Sequence, residues 1–164
     1  MMSWLQENYG TTLSNPIIQS VLIVLGAVIV AKITDLIFSR IFKRFVDKTQ
    51  TILDDQILQL LHRPIFYTIL FIGFSIAVKT AGLPEYFDFV LVGIFKTITI
   101  LIWLVIAMKV LVVSMEWASK KTTNPLLQQK TLPLFNNLGK IGVGLFGIYF
   151  IFLSWDININ GILA

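Results

Sequence analysis

Ile141-Gly-Val-Gly-Leu-Phe-Gly-Ile-Tyr-Phe-Ile-Phe-Leu153 carries no polar stripe. A helix at the surface of a water-soluble protein shows polar residues on one face, with a period of about 3.6. A soluble four-helix protein of 164 residues would need such a stripe on each helix, and this stretch has none. Three comparable stretches precede it: Ile17–Ala31, Ile65–Val78 and Phe89–Met108. The whole chain is 56% hydrophobic and 13% charged, where a soluble domain has about 45–50% and about 25%. Its mean hydropathy is +0.82. These features predict an all-α integral membrane protein of four transmembrane helices, arranged as two helical hairpins, with a short amphipathic helix near residues 52–62. The expected spans are about 17–39, 64–81, 88–115 and 138–156.

The apolar centres are short. Fifteen uncharged residues separate Arg63 from Lys79, whereas a span needs about 20. Flanking Lys and Arg close that gap by snorkelling, with their stems among acyl chains and their charges at the interface. No cleavable signal peptide is visible, because the first sixteen residues contain no Lys or Arg. The absence of cysteine excludes disulfides and thiolate metal sites. A net charge of +4 does not point to nucleic acid, because the basic residues flank apolar spans.

Charge predicts the orientation. Lys32, Arg40, Lys43, Arg44, Lys48 and Arg63 fill the first gap, and Lys109, Lys120, Lys121, Lys130 and Lys140 the third. The second gap holds Lys79 beside Glu85 and Asp88. The positive-inside rule then places loops 32–63 and 109–140 in the cytoplasm. It places the N-terminal segment 1–16, the second loop and the C-terminal tail outside. Trp4 and Tyr9 suit an interfacial belt in that outer segment.

Local signals fill in the elements. Asn15-Pro16 reads as an N-cap followed by Pro at the first helical position. The first helix is expected to overshoot the membrane, with Phe38, Ile41, Phe42 and Phe45 on one face and Lys32 paired to Asp35. Arg40, Lys43, Arg44 and Lys48 lie off that face. Two readings stand for them: contact with anionic lipid headgroups, or ordinary snorkelling cations on a solvated surface. Thr51 with Asp54 forms a capping-box variant, and Pro64 allows a bend into the second span. Asp54 and Asp55 suit the positive end of a helix dipole and lack the company a metal or acid–base site needs. His62, the single histidine, is expected to be an interfacial polar residue. Arg63 completes the basic candidates for lipid headgroup contact. In Ala81-Gly-Leu-Pro-Glu85, Gly82 is a plausible helix stop.

Lys96 falls inside the third span. It either snorkels outward or meets a lipid or partner facing the protein interior. Residues from Trp117 to Lys130 read as a connection. Gly139, Gly142, Gly144 and Gly147 have no GxxxG spacing, but their density signals close helix packing. A shift of 74 residues aligns Leu58 with Leu132, Leu60 with Leu134 and Gly73 with Gly147, a faint internal repeat. Nothing forms a nucleophile–base or metal constellation, so no catalytic residue, metal or cofactor is implied.

Two segments resemble the mechanosensitive channel of small conductance (MscS-like) family. One is Thr51-Ile-Leu-Asp-Asp-Gln-Ile-Leu-Gln-Leu-Leu-His-Arg-Pro-Ile65, continuing to Ala81-Gly-Leu-Pro84. The other is Thr131-Leu-Pro-Leu-Phe-Asn-Asn-Leu-Gly-Lys140, continuing to Trp155-Asp-Ile-Asn-Ile-Asn-Gly-Ile-Leu-Ala164. The resemblance covers roughly residues 45–164 and implies a homoheptameric channel opened by tension, in the bacterial inner membrane. A pore helix and cytoplasmic domains would then follow Ala164. The Gly/Ala-rich pore helix is absent from these residues, so no pore or gate residue can be assigned. On this resemblance residues 17–164 are a lipid-facing, tension-sensing region that does not conduct by itself and assembles only with the missing C-terminal region. The alternative is a small four-span accessory protein that binds a partner through its Gly-rich fourth helix.

Overall fold

Long apolar runs bounded by turn and cap signals become four long helices. A computed structural model describes residues 15–46, 52–121 and 131–157, with side chains at all of these except 41–46, 52–56, 58, 120 and 121. The helices are α1 (Pro16–Val46), α2 (Ile52–Thr80), α3 (Glu85–Lys121) and α4 (Leu132–Ser154). There is no strand among the described residues. All four helices are long and apolar enough to cross a membrane, as the sequence predicts. With 31 and 37 residues, α1 and α3 run about 45–55 Å, well beyond a hydrocarbon core of about 30 Å.

The caps explain the ends. Asn15 Oδ1 accepts the Ile17 N–H at 3.0 Å, and Pro16 opens α1. Gly82 has φ of +68°, which ends α2, and Pro84 O accepts the Phe87 N–H at 2.8 Å to start α3. Helix α4 closes in a Schellman arrangement: Ile157 N–H to Phe152 O at 3.0 Å and Asp156 N–H to Leu153 O at 3.2 Å. Asp156 takes the left-handed position, with φ of 53°, where a short polar side chain is tolerated.

Two boundaries differ from the sequence reading. Residues 52–62 are helical but not a separate element, because α2 runs unbroken through Pro64 into the span. Proline removes one N–H and leaves the Leu60 carbonyl without its i+4 donor. Its ring is fully buried, and packing outweighs that local cost. Residues 117–121, read as connection, are instead the last turn of α3.

The helices pack as a row, α1 on α2, α2 on α3 and α3 on α4, each antiparallel to the next. The two expected hairpins are therefore joined by an α2–α3 seam. There, Phe71 stacks on Phe95 at 5.8 Å between centroids, and Phe74 meets the same ring. The core is thin: among the described residues, Ala31, Ala77 and Val92 with Pro64 are its buried apolar side chains. Small residues let backbones approach, which is how helices pack where lipid removes the hydrophobic drive. Outward faces are strongly apolar, with Phe146 69% and Leu134 68% exposed.

Candidate functional site

Each seam of the row carries a polar clip among the described residues. Between α1 and α2, His62 Nε2 lies 2.9 Å from Asp35 Oδ1 and 3.1 Å from Ser39 Oγ. Phe38 tilts against the same imidazole. Asp35 thus meets His62 across the seam, where the sequence pairs it with Lys32. It faces α2, while Lys32 is exposed and makes no ion pair among the described residues. Between α2 and α3, Trp103 Nε1 donates to Thr68 Oγ1 at 2.9 Å, and that hydroxyl donates to Pro64 O at 2.7 Å. Between α3 and α4, Trp155 Nε1 donates to Thr97 Oγ1 at 2.9 Å, and Thr97 donates to Gly93 O at 2.8 Å. The two Trp–Thr–carbonyl relays are built alike. In each, a threonine satisfies its own hydroxyl on the preceding helical turn and keeps a lone pair for the indole.

The basic candidates fall at one end of the row. Arg40 and Arg63 are exposed and sit beside the His62 clip, which brings the two helix segments together. Lys43 and Arg44 lie in the last turns of α1, and their side chains are outside the described ones; Lys48 lies outside the described residues, as do Thr51, Trp4 and Tyr9. Lys96 stands toward the opposite end. It is exposed and lines a groove with Lys79, Glu85, Asp88 and Asp156, which are scattered over α2, α3 and the end of α4.

The glycines divide. A Cβ on Gly147 would overlap the Leu104 side chain, and one on Gly139 would lie 2.7 Å from Leu111 Cδ1. Gly142 and Gly144 have nothing within 4 Å of such an atom. Gly73 meets the Ala27 methyl, and Gly93 lies flat against the Trp155 indole, 3.3 Å from a built Cβ. Neither Gly73 as a contact nor the two tryptophan clips are visible by inspection of the chain. The available signal was the short Ala81–Pro84 turn, which sets the α2–α3 register and so brings Thr68 opposite Trp103.

Three grooves accompany the seams. One of about 430 Å³ follows α2–α3, its apolar wall interrupted by Thr68, Ser75, Thr99 and the lysines Lys79 and Lys96, and another of about 460 Å³ follows α3–α4 with a mostly apolar wall. The third, also about 460 Å³, is the charged one at the Lys79 end.

No family model matches the chain, and no solved structure matches it. Over 80 residues, 49% of its length, it is 34% identical to the small-conductance mechanosensitive channel MscMJ of Methanocaldococcus jannaschii. The matched stretch is 23% of that protein, so this chain spans under a quarter of its relative's length.

Proposed function

We propose that this chain is a lipid-facing, tension-sensing part of an MscS-like mechanosensitive channel, and that it does not conduct by itself. The observation that carries the reading is the similarity to a mechanosensitive channel over half of the chain. The architecture supplies a physical basis. Tension favours the conformer of larger in-plane area, and a stimulus shifts an equilibrium only through its differential free energy with the two states. A row of helices held by thin seams and a few polar clips rearranges at low cost, and lipid reaches both of its faces. Short apolar centres add a response to bilayer thickness. On this reading the basic end, with Arg40, Lys43, Arg44, Lys48 and Arg63, meets cytoplasmic-leaflet headgroups. The exposed α4 face with Leu134, Leu138, Ile141 and Leu145 is turned toward a pore-lining helix, in a homo-oligomer that the family resemblance makes heptameric.

The test is electrical. Patches from cells that express this chain joined to the pore-lining and cytoplasmic regions of an MscS-like channel should open under suction. The purified chain alone in planar bilayers should be silent. Silent patches despite assembled protein at the surface, or unitary currents from the chain alone, would overturn the proposal.

A further inference from the structure

Where α2 turns into α3 and α4 stops, two of the grooves run into one another. The α2–α3 groove is walled by Phe71, Ile72, Ile76 and Phe95. The charged groove is lined by Lys79, Glu85, Asp88, Lys96 and Asp156. Lys79, Val92, Lys96 and Ser154 belong to both, so a polar mouth opens directly onto an apolar channel. None of the five charged side chains forms an ion pair among the described residues. One Asp88 oxygen, Oδ1, is buried without a hydrogen-bond partner. A carboxylate in that state is costly unless a cation compensates it. The three carboxylates are too dispersed to form a metal-holding group.

The composition selects a ligand. Two ammonium groups suit a phosphate, three carboxylates suit a cation with N–H donors, and the channel suits an acyl chain. We propose that this composite groove binds a phospholipid with a primary-amine headgroup, of the phosphoethanolamine class. Its phosphate lies between Lys79 and Lys96, its ammonium meets the unpartnered Asp88 oxygen with Glu85 and Asp156 on the rim of the mouth, and one chain enters the α2–α3 seam. A choline headgroup carries no N–H to donate to the carboxylates. A glycerol headgroup brings no ammonium, so its phosphate adds one net negative charge to a site that already holds three carboxylates against two lysines. Lys96, set deep in α3, reaches the phosphate by its flexible stem. The site does not depend on the channel reading, since it requires only the groove and a bilayer.

Native mass spectrometry of the purified chain in mild detergent tests this, with dioleoyl phosphoethanolamine, its N-methylated series, phosphocholine and phosphoglycerol lipids as probes. Phosphoethanolamine should be retained about fivefold over the other headgroups, with graded loss on each methylation. Asp88→Asn with Asp156→Asn should erase that preference while leaving phosphoglycerol retention intact or raised. Lys79→Gln with Lys96→Gln should weaken all three lipids. Equal retention across headgroups by the wild-type chain overturns the proposal without recourse to any variant. So does an unchanged preference in the acidic double variant with wild-type helix content, or capture of a second chain instead of lipid by a photo-crosslinker placed at Val92.

Discussion

Trp103 and Trp155 each donate to a threonine on the neighbouring helix, and each threonine hydroxyl donates in turn to a carbonyl one turn back. In lipid such a bond contributes about 0.6 kcal/mol, with a ceiling near about 1.7 kcal/mol, because the separated helices find other partners. Thr97→Val should therefore lower the stability of the α3–α4 seam by about 0.6–1.7 kcal/mol, and Trp155→Phe by a similar amount. The double variant should cost less than the sum, since both changes remove one bond. Unfolding in detergent by denaturant titration checks this, and strict additivity would contradict a direct bond. Both partners are ordinary in the sequence. Trp155, near a span end, reads as a belt residue, Trp103 in mid-span reads as an apolar ring, and a threonine within a span reads as bonded to its own helix. That last reading is correct as far as it goes, and the remaining lone pair gives no signal in one dimension.

Among the elements, α4 shows how glycine density differs from glycine contact. Gly139 and Gly147 face α3, while Gly142 and Gly144 flank that contact, with nothing within 4 Å of an added Cβ. Gly147→Leu should destabilise the chain by about 1–3 kcal/mol through overpacking against Leu104. Gly142→Leu should be neutral or mildly stabilising in the isolated chain, because it removes a flexible residue from a helix at no steric cost. Thermal stability in detergent measures both, and equal losses would show that α4 is seated differently. The faint repeat also gains substance at this scale. The 74-residue shift that aligns Gly73 with Gly147 also aligns the last residues of α2 and α4, Thr80 and Ser154. It places Gly82 on Asp156, the two residues with positive φ that end those helices. Each hairpin thus has a second helix that seats a glycine on the helix before it and stops in a left-handed residue. Composition alone hid this, because Asp at the second stop does not look like Gly at the first.

Over the whole molecule, charge separates by end. Arg40, Arg63 and the His62 clip mark one end of the row, and the mixed groove of Lys79, Lys96, Glu85, Asp88 and Asp156 the other. The positive-inside rule turns that separation into a topology that can be tested, and the absence of cysteine makes the test clean. Tyr86→Cys, 73% exposed in the wild type, should react with an impermeant maleimide on intact cells. Glu116→Cys should react only after permeabilisation. The reverse pattern would invert the orientation and move the charged groove to the inner leaflet.

Span number, the reach of α1 beyond the apolar core, the Asn15 cap and the Gly82 stop were all legible in the sequence. They depend on apolar length, charge and turn chemistry, which are properties of contiguous residues. Which glycines are seated, why Asp35 meets His62 and not Lys32, and how five charges from three helices share one groove were decided only in the tertiary structure. Those facts depend on the register and rotation of each helix against its neighbour. In a chain whose spans are apolar all round, no stripe in the sequence states which face turns inward.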